Sequence, residues 1–433
     1  MGLLFFLIDL AMFLGSLALA ICIRQQQLEP RFFFENLLPF LPIFLTTSFT
    51  LWIFEFYDTA KLRKNGVNLV YLATAAALSL VIAVGLLYFI FPFFNFLTPK
   101  TILVLVLTIY FTYIYFTRRL YSRVELLKQR IIIFGESPTI NSIIKEIEEL
   151  KTYTIAEHSS YPDPNKDYDT KNLDLVIVSS KLFAKHSKAW PVVAEKFISK
   201  GICLDTDFNI YERLFKRISR ESVADGMWVM RGIGTYREHG IYDEFKRVAD
   251  FSLAFIMLPF AIPLSALIYL LIIAVDRHNP VFSQKRVGLL GRHIKIYKFR
   301  TIMPAAQESD KEKITALGAV LRRFRLDEIP QLINVLNGTL SFVGPRPIWV
   351  GEWPILDKQI PNHSIRVVVK PGITGWAQIN FKAPPNYFTA SAKETFDGGF
   401  MRFSYDVWYI KNRSALLDLE IIVRTGLRMF IKG

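Results

Sequence analysis

Four apolar runs crowd the first 120 residues, at roughly Leu3–Cys22, Asn36–Phe54, Leu69–Phe94 and Ile102–Phe116. A helix needs ~20 residues to cross ~30 Å of hydrocarbon, and inside lipid it must satisfy its backbone hydrogen bonds internally. The fourth run is short, and the others meet that length. Residues 1–120 therefore read as a four-helix transmembrane bundle. The first run has neither a basic leading segment nor a small-residue cleavage site, so it reads as a signal anchor rather than a cleaved signal peptide. Lys61, Arg63 and Lys64 lie between the second and third runs, and Arg118, Arg119, Arg123, Lys128 and Arg130 follow the fourth. The other two connections carry only Arg24, Arg31 and Lys100. Positive charge stays on the cytoplasmic side, so both ends of the bundle are expected to face the cytoplasm.

Composition agrees. Hydrophobic residues make up 52% of the chain, with 37 Phe, which is more apolar surface than one soluble core can bury. Lys and Arg number 52 against 38 Asp and Glu. That balance suits an anionic membrane surface or bound phosphates, and ordinary positive-inside flanks would give it too. No nucleic-acid partner is implied. Cys22 and Cys203 lack metal-ligand spacing, which excludes a disulfide framework or a structural zinc site.

Residues 121–235 change character. Arg130–Phe134 reads as a buried strand ending at Gly135, and Thr139–Leu150 as an amphipathic helix behind it. Leu173–Val178 is a second strand, Val192–Ser199 a helical stretch and Gly201–Leu204 a third strand. This alternation predicts a small α/β Rossmann-like module. A dinucleotide site needs several glycines after the first strand so that backbone can approach pyrophosphate. The turn here is Gly135-Glu136-Ser137-Pro138, with a carboxylate where phosphate would sit. The module is expected to regulate or assemble rather than to catalyse.

A fifth apolar run, Phe251–Val275, is also long enough to span. Lys246 and Arg247 precede it, and Arg277, Lys285, Arg286 and Arg292 follow, so both flanks look cytoplasmic. Pro259 and Pro263 each remove a backbone donor near its middle. The residues alone leave open a kinked span or a helix that breaks at the prolines and returns to the same side.

Three later stretches are rich in chemically useful side chains. Lys298-Phe299-Arg300-Thr301 follows a strand-like Ile294–Tyr297 and sets two cations beside a hydroxyl, which suits phosphate. The run Leu321–Leu332 places Asp327 and Glu328 after Arg322, Arg323 and Arg325, opening a predicted helix to about Leu336. Carboxylates at a helix start are favoured in ionised form by the helix dipole, and such a pair can divide the roles of nucleophile and Mg²⁺ ligand. Arg346 stands between Pro345 and Pro347, which stiffen its backbone. The Gly-rich segment Lys370–Gln378 offers close backbone approach to a ligand and the flat face of Trp376, or else a tight turn with a buried aromatic.

Together these motifs resemble the catalytic domain of bacterial polyprenyl-phosphate phosphoglycosyl transferases. The match runs from Lys246-Arg247-x-x-Asp250 through Lys298-Phe-Arg-Thr, Leu326-Asp-Glu-Ile-Pro-Gln-Leu and Phe342-Val-Gly-Pro-Arg-Pro to Pro371-Gly-Ile-Thr-Gly-Trp-Ala-Gln. It covers about Tyr242–Phe430 and places the catalytic domain at 236–433, with 251–275 as a re-entrant helix and interfacial amphipathic helices. The bundle and Rossmann-like module resemble the long form of the family, which initiates exopolysaccharide, capsule or O-antigen synthesis. The resemblance implies Asp327 as nucleophile toward a UDP-sugar and Glu328, with Asp327, as Mg²⁺ ligands. It implies Lys298, Arg300, Arg322, Arg346 and Lys382 as phosphate-binding groups and polyprenyl phosphate as acceptor. It also implies a multi-pass protein of the bacterial inner membrane, with its catalytic domain on the cytoplasmic face and a possible homodimer. Two departures stand out. Ile262-Pro263 replaces the usual Ser-Pro at the helix break, and Asn380-Phe381-Lys382 replaces an Asn-Gly-Arg, giving an ammonium where a guanidinium is usual. The alternative is an inactive membrane assembly or regulatory protein that retains the fold.

Overall fold

The computed structural model describes residues 2–26, 30–58, 61–62, 66–90, 100–123, 129–150, 153–185, 189–226, 240–303, 314–381 and 392–431. It divides into two compact units, Met1–Thr206 and Asp207–Gly433.

The first unit opens with helices α1 (Gly2–Gln25), α2 (Pro30–Ile53), α3 (Leu69–Ile90) and α4 (Lys100–Arg123). All four are long and apolar enough to cross a membrane. α1 packs on α4 and α2 on α3, around Phe13, Phe40, Phe44 and Tyr110. Pro39 and Pro42 lie inside α2. Thr46 and Thr47 hydroxyls donate to the Ile43 carbonyl at 3.0 and 2.7 Å, the kind of compensation a proline-bearing helix in lipid needs.

α4 corrects two expectations. It runs seven residues past Phe116, so the fourth span is not short. Arg118 is also no flanking loop charge. Its side chain is fully buried, donating through Nη2 to Asp9 Oδ2 at 2.7 Å and through Nε to the Phe56 carbonyl at 3.0 Å. Its guanidinium carbon sits 4.1 Å from the Phe5 ring centre. A charge inside an apolar run looks like its end when residues are counted, but a carboxylate across the bundle lets the helix continue.

The same unit holds a parallel sheet of β1 (Gln129–Phe134), β2 (Tyr153–Ser159), β3 (Leu173–Val178) and β4 (Cys203–Thr206), in the order β2-β1-β3-β4. Helices α5 (Pro138–Leu150), α6 (Ser180–Lys185) and α7 (Ala189–Ile198) intervene. β2 escaped the sequence pattern because it is an edge strand alternating half-buried and exposed, with no apolar run to mark it. Gly135 has φ +103°, and a Cβ there would fall 2.5 Å from Ser179 Cβ, so the turn after β1 admits only glycine.

The second unit begins with α8 (Asp207–Phe215) and α9 (Arg220–Asp225). Both are tied to the C-terminal helices, through Lys411 Nζ to Glu212 at 2.7 Å and Arg220 to Asp397 at 2.5 Å. The compact division falls at Thr206. Next come α10 (Gly240–Leu271), a π turn at Ile272–Asp276, and the hairpin β5 (Val281–Val287) and β6 (His293–Phe299). α11 (Ala316–Arg323), a 3₁₀ stretch at Leu326–Gln331 and α12 (Leu332–Leu336) follow. The unit finishes with β7 (Ser341–Val343), α13 (Trp353–Gln359), β8 (Gly372–Thr374), α14 (Trp376–Asn380), α15 (Ala392–Asn412) and α16 (Ala415–Ile431).

α10 is the fifth helix apolar enough to span. The helix runs through both Pro259 and Pro263 and ends at the π turn. A proline takes away one hydrogen bond, which permits a bend without stopping a helix. Both ends of α10 rest on the same unit. Ala254 is buried with Leu332, Val335 and Leu340, while Ile268 and Ile272 are buried with Phe299 and Leu321. Between them Phe255, Ile256, Phe260 and Ile262 stay 61–76% exposed, an apolar face that water would not tolerate at this scale.

Candidate active site

The site grows from the β5–β6 hairpin. In the register Phe282 faces Lys298 and Gln284 faces Ile296. Side chains alternate across a strand, so Phe282, Gln284 and Arg286 share a face with Ile296 and Lys298. These five line a cleft with Glu328, Gln331, Arg346, Pro347, Gly372 and Ile373.

Across from the hairpin, Arg325 takes a left-handed backbone (φ 53°) and starts the 3₁₀ stretch that carries Asp327 and Glu328. This differs from the expected α-helix start. The α-helix proper begins only at Leu332, so the pair gains little from a helix dipole. What holds Glu328 is cations. It is buried, and its Oε1 accepts from Lys298 Nζ at 2.8 Å and from Arg346 Nη2 at 3.4 Å. Arg325 Nη1 lies 3.8 Å from Oε2. Burial pushes the Glu328 carboxyl up, but Arg346, Lys298 and Arg325 outweigh it and hold it at about 2. Asp327 next to it moves the other way. Burial raises it and the Glu328 charge adds to this, while Lys298 and Arg322 pull it back only in part. Burial, with Arg346 beside it, lowers Lys298, and Arg286 drops to about 10 for the same two reasons.

Arg346 is fixed from behind. Arg366, ion-paired at 2.5 Å with the buried Asp406, donates to the Arg346 carbonyl at 3.3 Å. The flanking glycines serve the backbone itself. A Cβ on Gly372 would lie 2.1 Å from Gly344 N, and Gly344 N donates to the Thr374 carbonyl at 2.9 Å. The glycines let β7 and β8 approach each other closely, and Gly372 also lines the cleft. Trp376 is no ligand platform. It is buried, stacked on Trp408 with centroids 5.0 Å apart, and its Nε1 donates to the Lys216 carbonyl at 3.0 Å.

Of the residues singled out in the sequence, Lys298, Glu328 and Arg346 therefore meet directly, with Asp327 adjoining them in the chain. Arg322 donates to Thr301 Oγ1 at 2.8 Å and lies close enough to Asp327 to act on its charge. Arg300 is outside the cleft lining, its guanidinium 5.9 Å from the Phe282 ring. Lys382 falls outside the described residues. Arg286, Gln284 and Gln331 were missed, although the spacing Phe282-x-Gln284-x-Arg286 places the first two on one strand face once β5 is paired, and Gln331 ends the 3₁₀ stretch that carries Glu328.

Two atoms of the cleft residues are buried with no hydrogen-bond partner among the described residues, the acceptor Glu328 Oε2 and the donor Gln331 Nε2. Buried orphans of this kind are costly and mark places where a ligand completes the bonding. The described residues contain no cluster of three or more metal-ligating side chains. Mg²⁺ does not need one, because it keeps waters and takes one or two carboxylates plus substrate phosphates. Glu328 Oε2 and Asp327 are a donor set of that kind.

Residues 241–432 match the family described as bacterial sugar transferase. The uncharacterized sugar transferase EpsL of Bacillus subtilis is 38% identical over 196 residues, which cover 43% of this chain and 87% of that protein. A UDP-N-acetylgalactosamine-undecaprenyl-phosphate N-acetylgalactosaminephosphotransferase of Aeromonas hydrophila is 34% identical over 209 residues, 46% of this chain and 47% of that protein. A UDP-glucose:undecaprenyl-phosphate glucose-1-phosphate transferase of Escherichia coli is 34% identical over 201 residues, 44% of this chain and 41% of that protein. The match thus spans less than half of the last two relatives. It encloses the whole cleft, from the β5–β6 hairpin to Ile373. On these grounds the chain belongs to the bacterial sugar transferase family.

Proposed function

We propose that this protein moves a sugar 1-phosphate from a UDP-sugar onto polyprenyl phosphate, giving polyprenyl diphosphate-sugar and UMP as the first membrane step of a surface polysaccharide. Asp327 attacks the sugar-bearing phosphorus, the bond to the UMP oxygen breaks, and an aspartyl-phosphosugar forms. The phosphate oxygen of the polyprenyl carrier then attacks the same phosphorus, and Asp327 leaves as a free carboxylate. Two displacements at one phosphorus replace a single transfer between an aqueous and a lipid substrate.

The carrying observation is the surplus of positive charge around Glu328, a single carboxylate faced by Lys298, Arg325 and Arg346. Such an arrangement has room for an anionic ligand. It also suits phosphoryl transfer, where stabilising charge on the phosphate oxygens does most of the work. Glu328, held ionised, keeps Lys298 and Arg346 oriented. Asp327, with its carboxyl raised, is the more basic and more nucleophilic of the pair. Mg²⁺ held through Glu328 Oε2 and Asp327 would neutralise charge on the donor diphosphate.

The same reading makes α10 re-entrant and puts the cleft on the cytoplasmic face of the bacterial inner membrane, where nucleotide-sugars are made. Its support is that both ends of α10 pack on one unit, with Lys246 and Arg247 at one end and Arg277 at the other. A cysteine at Arg292 should be shielded from an impermeant thiol reagent in intact cells, and labelling from outside would mean a true fifth crossing.

The deciding experiment is nucleotide release by purified protein with polyprenyl phosphate, Mg²⁺ and a panel of UDP-sugars. UMP released with one donor and lost in Asp327→Asn supports the reading. UDP as product, or turnover that survives the substitution, overturns the covalent mechanism.

A further inference from the structure

A second cavity lies in the same unit where α10 begins. Its lining includes Lys246, Arg247, Lys370 and Arg413 against Asp243 and Asp250. Three of the cations are engaged. Lys246 pairs with Asp418, and Arg413 holds both oxygens of Asp243 at 2.7 and 3.0 Å. Arg247 donates to the Val335 and Leu336 carbonyls at 2.6 and 2.8 Å, capping the end of α12. Asp250 is buried and accepts from the Phe342 N–H at 3.2 Å. Lys370 alone among these cations has no hydrogen-bond or ion-pair partner among the described residues. Burial, with Arg247 close by, pushes its ammonium down, and Asp250 and Asp243 in the same lining pull it back only in part, so the cavity keeps a place for an added negative charge.

The surroundings say where that charge comes from. At the start of α10, Phe245 and Val248 are 60% and 64% exposed, and at the start of α16 Leu416 is 63% exposed. Lys246, Arg247 and Asp250 stand on the first of these helices, and Asp418 on the second. Apolar side chains turned outward beside cations turned into a cavity are the arrangement of a membrane interface, with the cavity at headgroup depth.

We propose that this cavity is a second anion site, separate from the Glu328 cleft, that binds the phosphate group of a membrane lipid with Lys370 as its free cation. The two sites adjoin the Lys370-Pro371-Gly372 segment, since Lys370 lines one and Gly372 the other. A phosphate held here by its lipid sits beside the cleft without entering it. Both a phospholipid and a polyprenyl phosphate present the required group.

The test uses full-length protein in nanodiscs, with bound lipid counted by native mass spectrometry. The probes are phosphatidylglycerol, undecaprenyl phosphate and inorganic phosphate, each supplied separately. Retention of phosphatidylglycerol, and of undecaprenyl phosphate beyond the one copy per chain that the Glu328 cleft takes, should fall about tenfold in Lys370→Ala, the scale of one charge-assisted hydrogen bond. It should be kept in Lys370→Arg and in Asp327→Asn. Because the readout is binding, it stays informative if no donor sugar is found. Which lipid is retained identifies the source. Retention unchanged in both Lys370→Ala and Lys370→Glu, with normal melting, overturns the site. Equal competition by millimolar inorganic phosphate overturns the assignment to a lipid.

Discussion

Asp9 and Glu328 are both carboxylates withdrawn from water and answered by arginine or lysine, and the difference between them separates a structural charge from a chemical one. In the helical bundle the count is one to one. Asp9 meets Arg118 with both side chains fully buried, and the spare nitrogen-borne bond goes to the Phe56 carbonyl. Around Glu328 one carboxylate meets three cations, and it lines an open cleft. A balanced pair carries no net charge for an anionic ligand to answer. An unbalanced cluster carries a standing cost of cation repulsion that an anionic substrate relieves.

The largest effect that would sharpen this contrast is at Asp327. Asp327→Asn keeps the size of the side chain and removes the attacking oxygen's charge, so UMP release should fall by about 10⁴-fold or more, with the melting transition unchanged. Arg118→Ala should do the reverse. It leaves Asp9 buried without its cation, at a cost of about 3–5 kcal/mol, while Asp9→Leu combined with Arg118→Met should restore most of it. Denaturation of the protein in detergent reads this out. A double variant no better than the single one would mean that the pair does more than balance charge.

Arg346→Lys tests the unbalanced side more gently. An ammonium cannot present two nitrogens to Glu328 and to a phosphate together, so kcat/KM should drop about tenfold. Unchanged kinetics would make Arg346 a prop for the chain between Pro345 and Pro347.

How much of this was legible depended on whether a feature is local. The apolar runs, the alternating module and the Asp327–Glu328 pair with its neighbouring arginines all stand in short stretches of sequence, and each was found there. What could not be seen is what distance in sequence hides. Asp9 and Arg118 are 109 positions apart, so Arg118 looked like a loop charge until the fold closed the pair. Arg286 joined the cleft only through pairing of β5 with β6, and Lys370 stood out only once its neighbours were seen to be engaged. Trp376 stayed open between two readings for a related reason. A glycine-rich turn with an aromatic reads the same whether the ring faces a ligand or Trp408.

The smallest expected effect is also the most specific to the unbalanced cluster. Asp327 must be ionised to attack, and its carboxyl is raised above the ordinary 3.8, so the rate should fall as pH drops through that raised value. Glu328, held at about 2, stays ionised throughout and contributes nothing to that limb. On the alkaline side Lys298 is lowered from 10.5, so its charge, and the rate with it, should be lost earlier than for an exposed lysine. The carrier phosphate itself titrates near 6, so the measurement belongs to the first half-reaction, a burst of UMP without acceptor. There the acid limb reports on the enzyme and the donor alone. Arg322 pulls the Asp327 carboxyl down, so Arg322→Ala should move the acid limb to higher pH, while a change in the bundle pair, such as Asp9→Leu with Arg118→Met, should leave it in place. An acid limb that does not respond to Arg322 would mean that the titrating group is not Asp327, and the division of labour between the two neighbouring carboxylates would have to be reassigned.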